Sequence, residues 1–453
     1  MAGLYFILMV GLALGAYILT RARATQLAGM AALHSRPNYH GLLAAIQIIL
    51  PMVVIYAIGA QIATRFVEAQ ALGAMDPALL TDELRRGAAL REIREAALGR
   101  GIATPAAQAG AATYSYLSGL TQWAIAGIGL SAGLAGLLFA LRSVSAEFRA
   151  RNRFERIAGL LLLACAGLAV LTTVGIVFSV VFETFRFFQK VSPAEFLFGT
   201  HWSPQQAIRA DQGGAGGSFG IAPLVAGTIL ISLIAILVAG PIGLLAAIYM
   251  AEYASPGFRA WAKPILEILA GIPTVVLGFF AALTVAPLIR DLGATLGLDV
   301  ASESALAAGL VMGIMIVPFV SSLSDDVITA VPQSLRDGSL AMGATRAETI
   351  QRVVLTAALP GIVSAFMLAI SRAVGETMIV VMAAGLAANL TFNPLDAVTT
   401  FTVQIKTILV GDQEFDSAKT LAAFALGFVL FFFTLTLNVI ALAIVRKYRE
   451  QYD

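Results

Sequence analysis

Eight stretches of the chain, each long enough to cross a bilayer as a helix, contain no Asp, Glu, Lys or Arg: residues 2–20, 41–64, 124–141, 157–182, 221–250, 268–289, 305–323 and 421–445. A hydrocarbon core about 30 Å thick takes about 20 apolar helical residues to span. A ninth stretch, 353–385, is as apolar but holds Arg372 and Glu376. The expected fold class is therefore all-α, a polytopic membrane protein with about nine transmembrane helices. Composition agrees, because charged residues make up 12% of the 453, about half the share in a typical soluble domain. The first stretch has no basic residue ahead of it and is followed by Arg21 and Arg23, which fits an uncleaved anchor better than a signal peptide.

Twenty-nine basic side chains against 27 acidic ones leave a net charge of +2, which does not suggest a nucleic-acid partner. One cysteine, Cys165, excludes an internal disulfide, and the scattered His34, His40 and His201 offer no metal cluster, so neither metal nor cofactor is expected. No catalytic triad or paired carboxylates converge in spacing, and the chain lacks the G-x-x-x-x-G-K-[ST] loop of nucleotide hydrolysis. The reading is a non-enzyme without its own ATPase site and without catalytic residues.

Orientation follows from Lys and Arg, which stay cytoplasmic in short loops. With the N-terminus outside and the C-terminus inside, sixteen basic residues are cytoplasmic and six external, once the six in the long segment 65–121 are set aside. That segment reads as an extracytoplasmic helical hairpin packed on the spans, with Asp76 before Pro77 and Thr104 before Pro105 as N-cap pairs. A second external segment, 183–220, carries aromatic residues and then a glycine-rich run at 213–217, a surface for an outside partner. The expected division is an N-terminal membrane extension, 1–156, of three helices plus 65–121, and a six-helix core, 157–453, with a cytoplasmic loop at 324–352. No internal repeat is evident.

Within that loop Leu335, Leu340, Ile350, Val353 and Val354 recur near helical period, and Gly343 stands where one short helix should end and another begin. The expected element is a pair of short amphipathic helices at the inner membrane face, with a glycine corner that a partner surface can approach.

The loop resembles the coupling motif of ATP-binding-cassette importer permeases, an acidic residue with two small ones, then a glycine, then Leu-Pro. Here these are Asp337, Gly338 and Ser339, then Gly343, then Leu359 and Pro360, with Gly338 and Ser339 in place of the motif's alanines. FLFGT at 196–200 with Trp202, AGIPTVV at 270–276 and SRAVGETM at 371–378 resemble one branch, the phosphate importer permeases of the PstC type, over about residues 157–445. The resemblance implies a type I permease core in the bacterial inner (plasma) membrane. It also implies a heterodimer with a sister permease, a cytoplasmic ATPase dimer and an external phosphate-binding protein, with inorganic phosphate as cargo. ATPase coupling then falls to Asp337, Gly338, Ser339, Gly343, Ala344, Thr345 and Arg346. Sulfate, molybdate and phosphonate permeases, and an ion-coupled secondary transporter, are the alternatives.

Arg372 and Glu376 are four apart, which on a continuous helix puts them on one face, and a lone charge in hydrocarbon costs several kcal/mol. Two readings fit: a neutralising ion pair between helices, or an anion path in which Arg372 meets the oxyanion and Glu376 weakens the grip. Pro241, Pro273, Pro318 and Pro360 mark expected helix bends, either gating or fixed.

Overall fold

The structure is a computed structural model that describes residues 2–30, 32–73, 83–100, 104–204, 217–410 and 416–448. Among the described residues, nine helical segments are long and apolar enough to cross a membrane: Ala2–Ala28, Pro37–Leu72, Pro105–Ser143, Ala150–Phe188, Ala222–Tyr253, Thr274–Thr295, Ala305–Ala330, Arg346–Gly375 and Ala418–Ile444. Each overlaps one apolar stretch of the sequence. Several overshoot it, because a run of 39 residues, as in the third and fourth, is about 58 Å of helix and carries its charged turns beyond the hydrocarbon.

The chain divides into two compact units, Met1–Leu171 and Thr172–Asp453. In the first, α1 (Ala2–Ala28), α2 (Pro37–Leu72) and α4 (Pro105–Ser143) close around Tyr5, Met9, Ala13, Ala16, Ala44, Ile48 and Met52. The alanines allow close helix approach, which is what drives association in lipid, and the Tyr5 hydroxyl donates to the Met52 carbonyl at 2.8 Å. Helix α3 (Glu83–Ala97) packs on the end of α2 and the start of α4 through Ala71, Leu72, Ala89, Ile93 and Ala107, and Arg94 pairs with Glu68. Thr104 caps α4 by accepting from the Ala107 amide at 3.3 Å, with Pro105 in the first turn. The companion signal at Asp76 and Pro77 lies outside the described residues. Helix α5 (Ala150–Phe188) runs across the boundary between the units, and none of its most apolar window is buried.

The second unit is built on α7 (Ala222–Ile248) and α11 (Ala305–Ala330). In α11 the buried share of the apolar window is 67%, the largest of the nine. Gly309 and Gly313 make this possible: a Cβ on either would come within 2.6 Å of Ile234 or 2.9 Å of Val238 across the contact. Helix α6 (Pro193–Phe198) and a two-strand ladder, β1 (Trp202–Ser203) antiparallel to β2 (Ser218–Phe219), gather Phe187, Phe196, Trp202 and Phe219 into one aromatic cluster. There the Trp202 indole donates to Gln404 Oε1 at 2.9 Å. Of the glycine-rich run, 213–216 lie outside the described residues.

The helices run on through Pro241, Pro318 and Pro360, whereas Pro273 stands in a break between α8 (Pro256–Ala270) and α9 (Thr274–Phe280). Among the described residues, three π-turns, Tyr249–Tyr253, Ala281–Val285 and Ile350–Val354, also interrupt the regular helix. The second leads from α9 into α10 (Ala286–Thr295), the third into α14 (Leu355–Gly375).

Candidate functional site

The first part of the site is the segment after α11. That helix continues to Ala330, so residues 324–330, read from sequence as loop, are instead its last turns. Pro332 then starts α12 (Gln333–Ala341), where Gln333 Nε2 donates to Asp337 Oδ1 at 3.1 Å. The helix carries Asp337, Gly338 and Ser339 and has no buried residue. The chain turns at Gly343, whose φ of +86° is the left-handed conformation that glycine adopts without strain. Ala344 follows, and its amide donates to the Ser339 carbonyl at 3.3 Å.

Thr345 opens α13 (Arg346–Thr349) with a capping box: its hydroxyl accepts from the Glu348 amide, and its own amide donates to Glu348 Oε2 at 2.9 Å. The second helix is not a separate short one. It passes through the π-turn Ile350–Val354 into α14, a single helical span. Ile350 and Val354 are buried as their spacing suggests, while Leu340 and the neighbouring Met342 are exposed, Met342 to 90%.

Two contacts fasten this elbow to the π-turn that ends α7. Arg336 donates to Glu252 Oε1 through Nη2 at 2.8 Å and Nε at 3.1 Å, and to the carbonyls of Ile328 and Val331. The Arg346 guanidinium lies 4.9 Å over the Tyr253 ring. Ser339 and Thr349 share a hydroxyl contact at 2.9 Å that ties the two arms of the elbow together. Between elbow and π-turn lies an open groove of about 700 Å³, walled by Glu252, Arg336, Leu340, Arg346, Thr349 and Ile350.

Beside it is a cluster that sequence spacing does not reveal. Asp325 on α11 is fully buried and accepts from Arg259 Nη2 at 3.0 and 2.9 Å and from Lys263 at 3.1 Å. Lys263 also reaches Asp326 at 2.7 Å. Its pairing with Asp326, and then with Asp325, holds its pKa above the usual lysine value. The available signals were Arg259 and Lys263 one helical turn apart and the acidic pair at the end of a span. Among the described residues no group of three or more His, Cys, Asp or Glu is placed to hold a metal ion.

The second part of the site corrects the sequence reading. Helix α14 ends at Gly375, and Glu376 has an extended backbone (φ −70°, ψ 132°), so Arg372 and Glu376 do not share a helix face. Glu376 Oε1 instead accepts from the amides of Met378 and Ile379, at 3.1 and 3.5 Å, which start α15 (Met378–Ala383). Capping a helix start with a carboxylate satisfies amides that have no partner within the helix, and it draws the side chain away from the arginine. Arg372 is exposed and lies 4.2 Å over the Phe319 ring of α11. Cation and anion are thus held by different neighbours.

Residues 5–172 match a family described as "Phosphate ATP-binding cassette transporter", and residues 239–450 match one described as "Binding-protein-dependent transport system inner membrane component". The chain is similar to the probable ABC transporter permease protein YqgH of Bacillus subtilis, 31% identical over 62% of this chain and 88% of that one. It is also similar to the phosphate transport system permease protein PstC of Pasteurella multocida, 30% identical over 67% of this chain and 92% of that one. Among solved structures, one chain of a bacterial alginate ABC transporter in complex with its alginate-bound periplasmic protein overlays with a TM-score of 0.46. That match has 16% identity and covers 66% of this chain and 99% of the other.

Proposed function

The chain belongs to the ATP-binding-cassette transporter permease family, and on that premise we propose that it is the membrane-spanning subunit of an ATP-driven phosphate importer. In this reading the part from Ile157 onward forms the conduit, paired with a sister permease. A separate ATPase dimer works on the elbow of Asp337, Gly338, Ser339, Gly343, Ala344, Thr345 and Arg346, and a phosphate-binding protein delivers the anion from outside. The chain sits in the bacterial inner membrane with its N-terminus outside and its C-terminus in the cytoplasm.

The observation that carries the substrate assignment is Arg372: a guanidinium on a membrane span, exposed, and without its sequence neighbour Glu376 as counter-charge. A phosphate ion crossing a low-dielectric region gains from a planar, permanently charged donor, and stacking on Phe319 holds that donor in place. Because Glu376 is occupied by backbone amides, it tempers the arginine through space and does not neutralise it. Proline positions 241, 273, 318 and 360 then serve as bends at which spans re-aim during alternating access.

The elbow supports the reading from the other side. It is an exposed projection with uncovered Leu340 and Met342, and it is fixed to the π-turn that ends α7 through Glu252 and Arg336. A push on it is passed into the spans and is not absorbed by a loose loop. Reconstitution with the sister permease, the ATPase and the binding protein tests the proposal. ATP-dependent uptake of radiolabelled phosphate, uncompeted by excess sulfate or molybdate, is expected. Uptake by the purified chain alone, driven by an ion gradient, would overturn it.

A further inference from the structure

A strongly basic surface of the first unit takes no part in the site above. Residues 17–41 and 142–156 contain eight arginines, Arg21, Arg23, Arg36, Arg142, Arg149, Arg151, Arg153 and Arg156, against Glu147 and Glu155, which leaves +6. These segments meet at one end of the bundle: the His34 amide donates to the Ala146 carbonyl at 3.0 Å, and Ser35 Oγ accepts from the Arg151 amide at 3.2 Å. All eight arginines are exposed, and among the described ion pairs only Arg151, with Glu155 at 2.6 Å, has a carboxylate partner. Three guanidiniums lie over rings, Arg153 at 4.6 Å from Phe148, Arg151 at 5.8 Å from Tyr39 and Arg21 at 6.0 Å from Tyr17.

Basic charge at a bundle end serves topology, but topology accepts Lys and Arg alike. Residues 1–171 contain fourteen arginines and no lysine, whereas 172–453 hold ten arginines and five lysines. A function that charge alone cannot supply would account for the difference. The guanidinium offers a planar fork that fits two oxygens of one phosphate and stacks on aromatic faces, and an ammonium does neither.

We infer that this arginine rim is a binding site for anionic phospholipid, with the phosphodiester of the headgroup held by guanidiniums from both segments. A groove of about 490 Å³ runs from the rim along α1, lined by Tyr17, Ile18, Arg21, Ala22, Thr25 and Gln26. It gives an acyl chain an apolar wall directly beside a headgroup at Arg21. Six uncompensated charges at a membrane edge repel one another, and a resident anion removes that repulsion.

The test uses the full chain in bilayers of equal phosphatidylglycerol and phosphatidylcholine, with retained lipids counted by native mass spectrometry. The wild type should retain phosphatidylglycerol about tenfold over phosphatidylcholine, as a juxtamembrane arginine cluster would. Replacing Arg149, Arg151, Arg153 and Arg156 by Lys keeps the charge and should cut that preference to about threefold, with the topology of reporter fusions unchanged. The corresponding Gln variant should abolish it. Equal retention of the two lipids by the wild type would overturn the inference, and that arm needs no variant. Full retention by the Lys variant would also overturn it, since net charge would then suffice. So would displacement of the lipid by millimolar inorganic phosphate, which would make the rim a site for the free oxyanion.

Discussion

The two charged regions of the second unit treat ions in opposite ways. Around the end of α11, the buried and half-buried charges are paired: Asp325, with no exposure, sits between Arg259 and Lys263, and Glu252 and Arg336, each near 10% exposed, hold one another. At the far end of α14, Arg372 and Glu376 are separated, one on an aromatic ring and the other on backbone amides. Pairing at the first region removes the ions from any traffic and makes them structural. Separation at the second leaves Arg372 without Glu376 as a counter-charge, which is what the proposed anion path requires.

The comparison can be broken most readily at Asp325. Replacing Arg259 and Lys263 together by Ala strands a fully buried carboxylate, and a loss of about 3–5 kcal/mol is expected in detergent-solubilised unfolding. Arg372→Ala should change the same measurement by less than about 0.5 kcal/mol, as for other exposed side chains. Equal losses would erase the distinction. Because its carboxylate partners raise the pKa of Lys263, the pairing is fully present below the ordinary lysine value and is lost only as pH rises through the raised one. The stability should therefore carry the full Lys263 contribution, with no pH dependence from this group, across the neutral range.

A somewhat smaller effect is expected at the start of α12. Arg336→Ala removes the donor to Glu252 and to the carbonyls of Ile328 and Val331, and about 2 kcal/mol should be lost, less than for a fully buried pair because both groups retain some water. The same variant should hydrolyse ATP in the assembled complex while moving less phosphate per ATP, because the ion pair that ties the elbow to the π-turn after α7 is then gone, leaving the Arg346–Tyr253 stacking and apolar packing. Unchanged coupling would limit Glu252 and Arg336 to a stabilising role.

At the unpaired end the effect moves from stability to transport. Arg372→Lys keeps the charge but loses the planar donor and its stacking, and phosphate uptake should fall about tenfold with the unfolding temperature unchanged. If uptake were untouched, the cation would be as structural as Arg259.

How far these regions were legible differs for a physical reason. Crossing a bilayer demands an uninterrupted apolar run, so nine spans stand out in the sequence and recur as nine helical segments among the described residues. Asp325 pairs with residues 66 and 62 positions away, a distance no local spacing encodes. Arg372 and Glu376 were read on one face because the apolar run continues past them. The helix stops at Gly375, where a glycine followed by an acidic residue and Thr377 marks an end and a new start. The π-turns at Tyr249–Tyr253 and Ile350–Val354 left no sequence trace, since one extra residue per turn changes no composition.

The smallest expected effect concerns the glycine corner of the elbow, beside the paired region. Gly343 has nothing within 4 Å of where a Cβ would stand, so Gly343→Ala creates no clash, and its whole cost is the left-handed backbone at φ +86°. That cost is about 1 kcal/mol. Gly338, equally open but inside α12, is the control: Gly338→Ala should stabilise the helix by up to about 1 kcal/mol, because alanine restricts the unfolded chain more and suits a helix better. Opposite signs at two uncrowded glycines five residues apart would show that the corner is specified by backbone conformation. If both substitutions instead left stability unchanged but reduced ATP-driven uptake alike, the elbow would be read by its partner's surface, and the left-handed turn would be incidental.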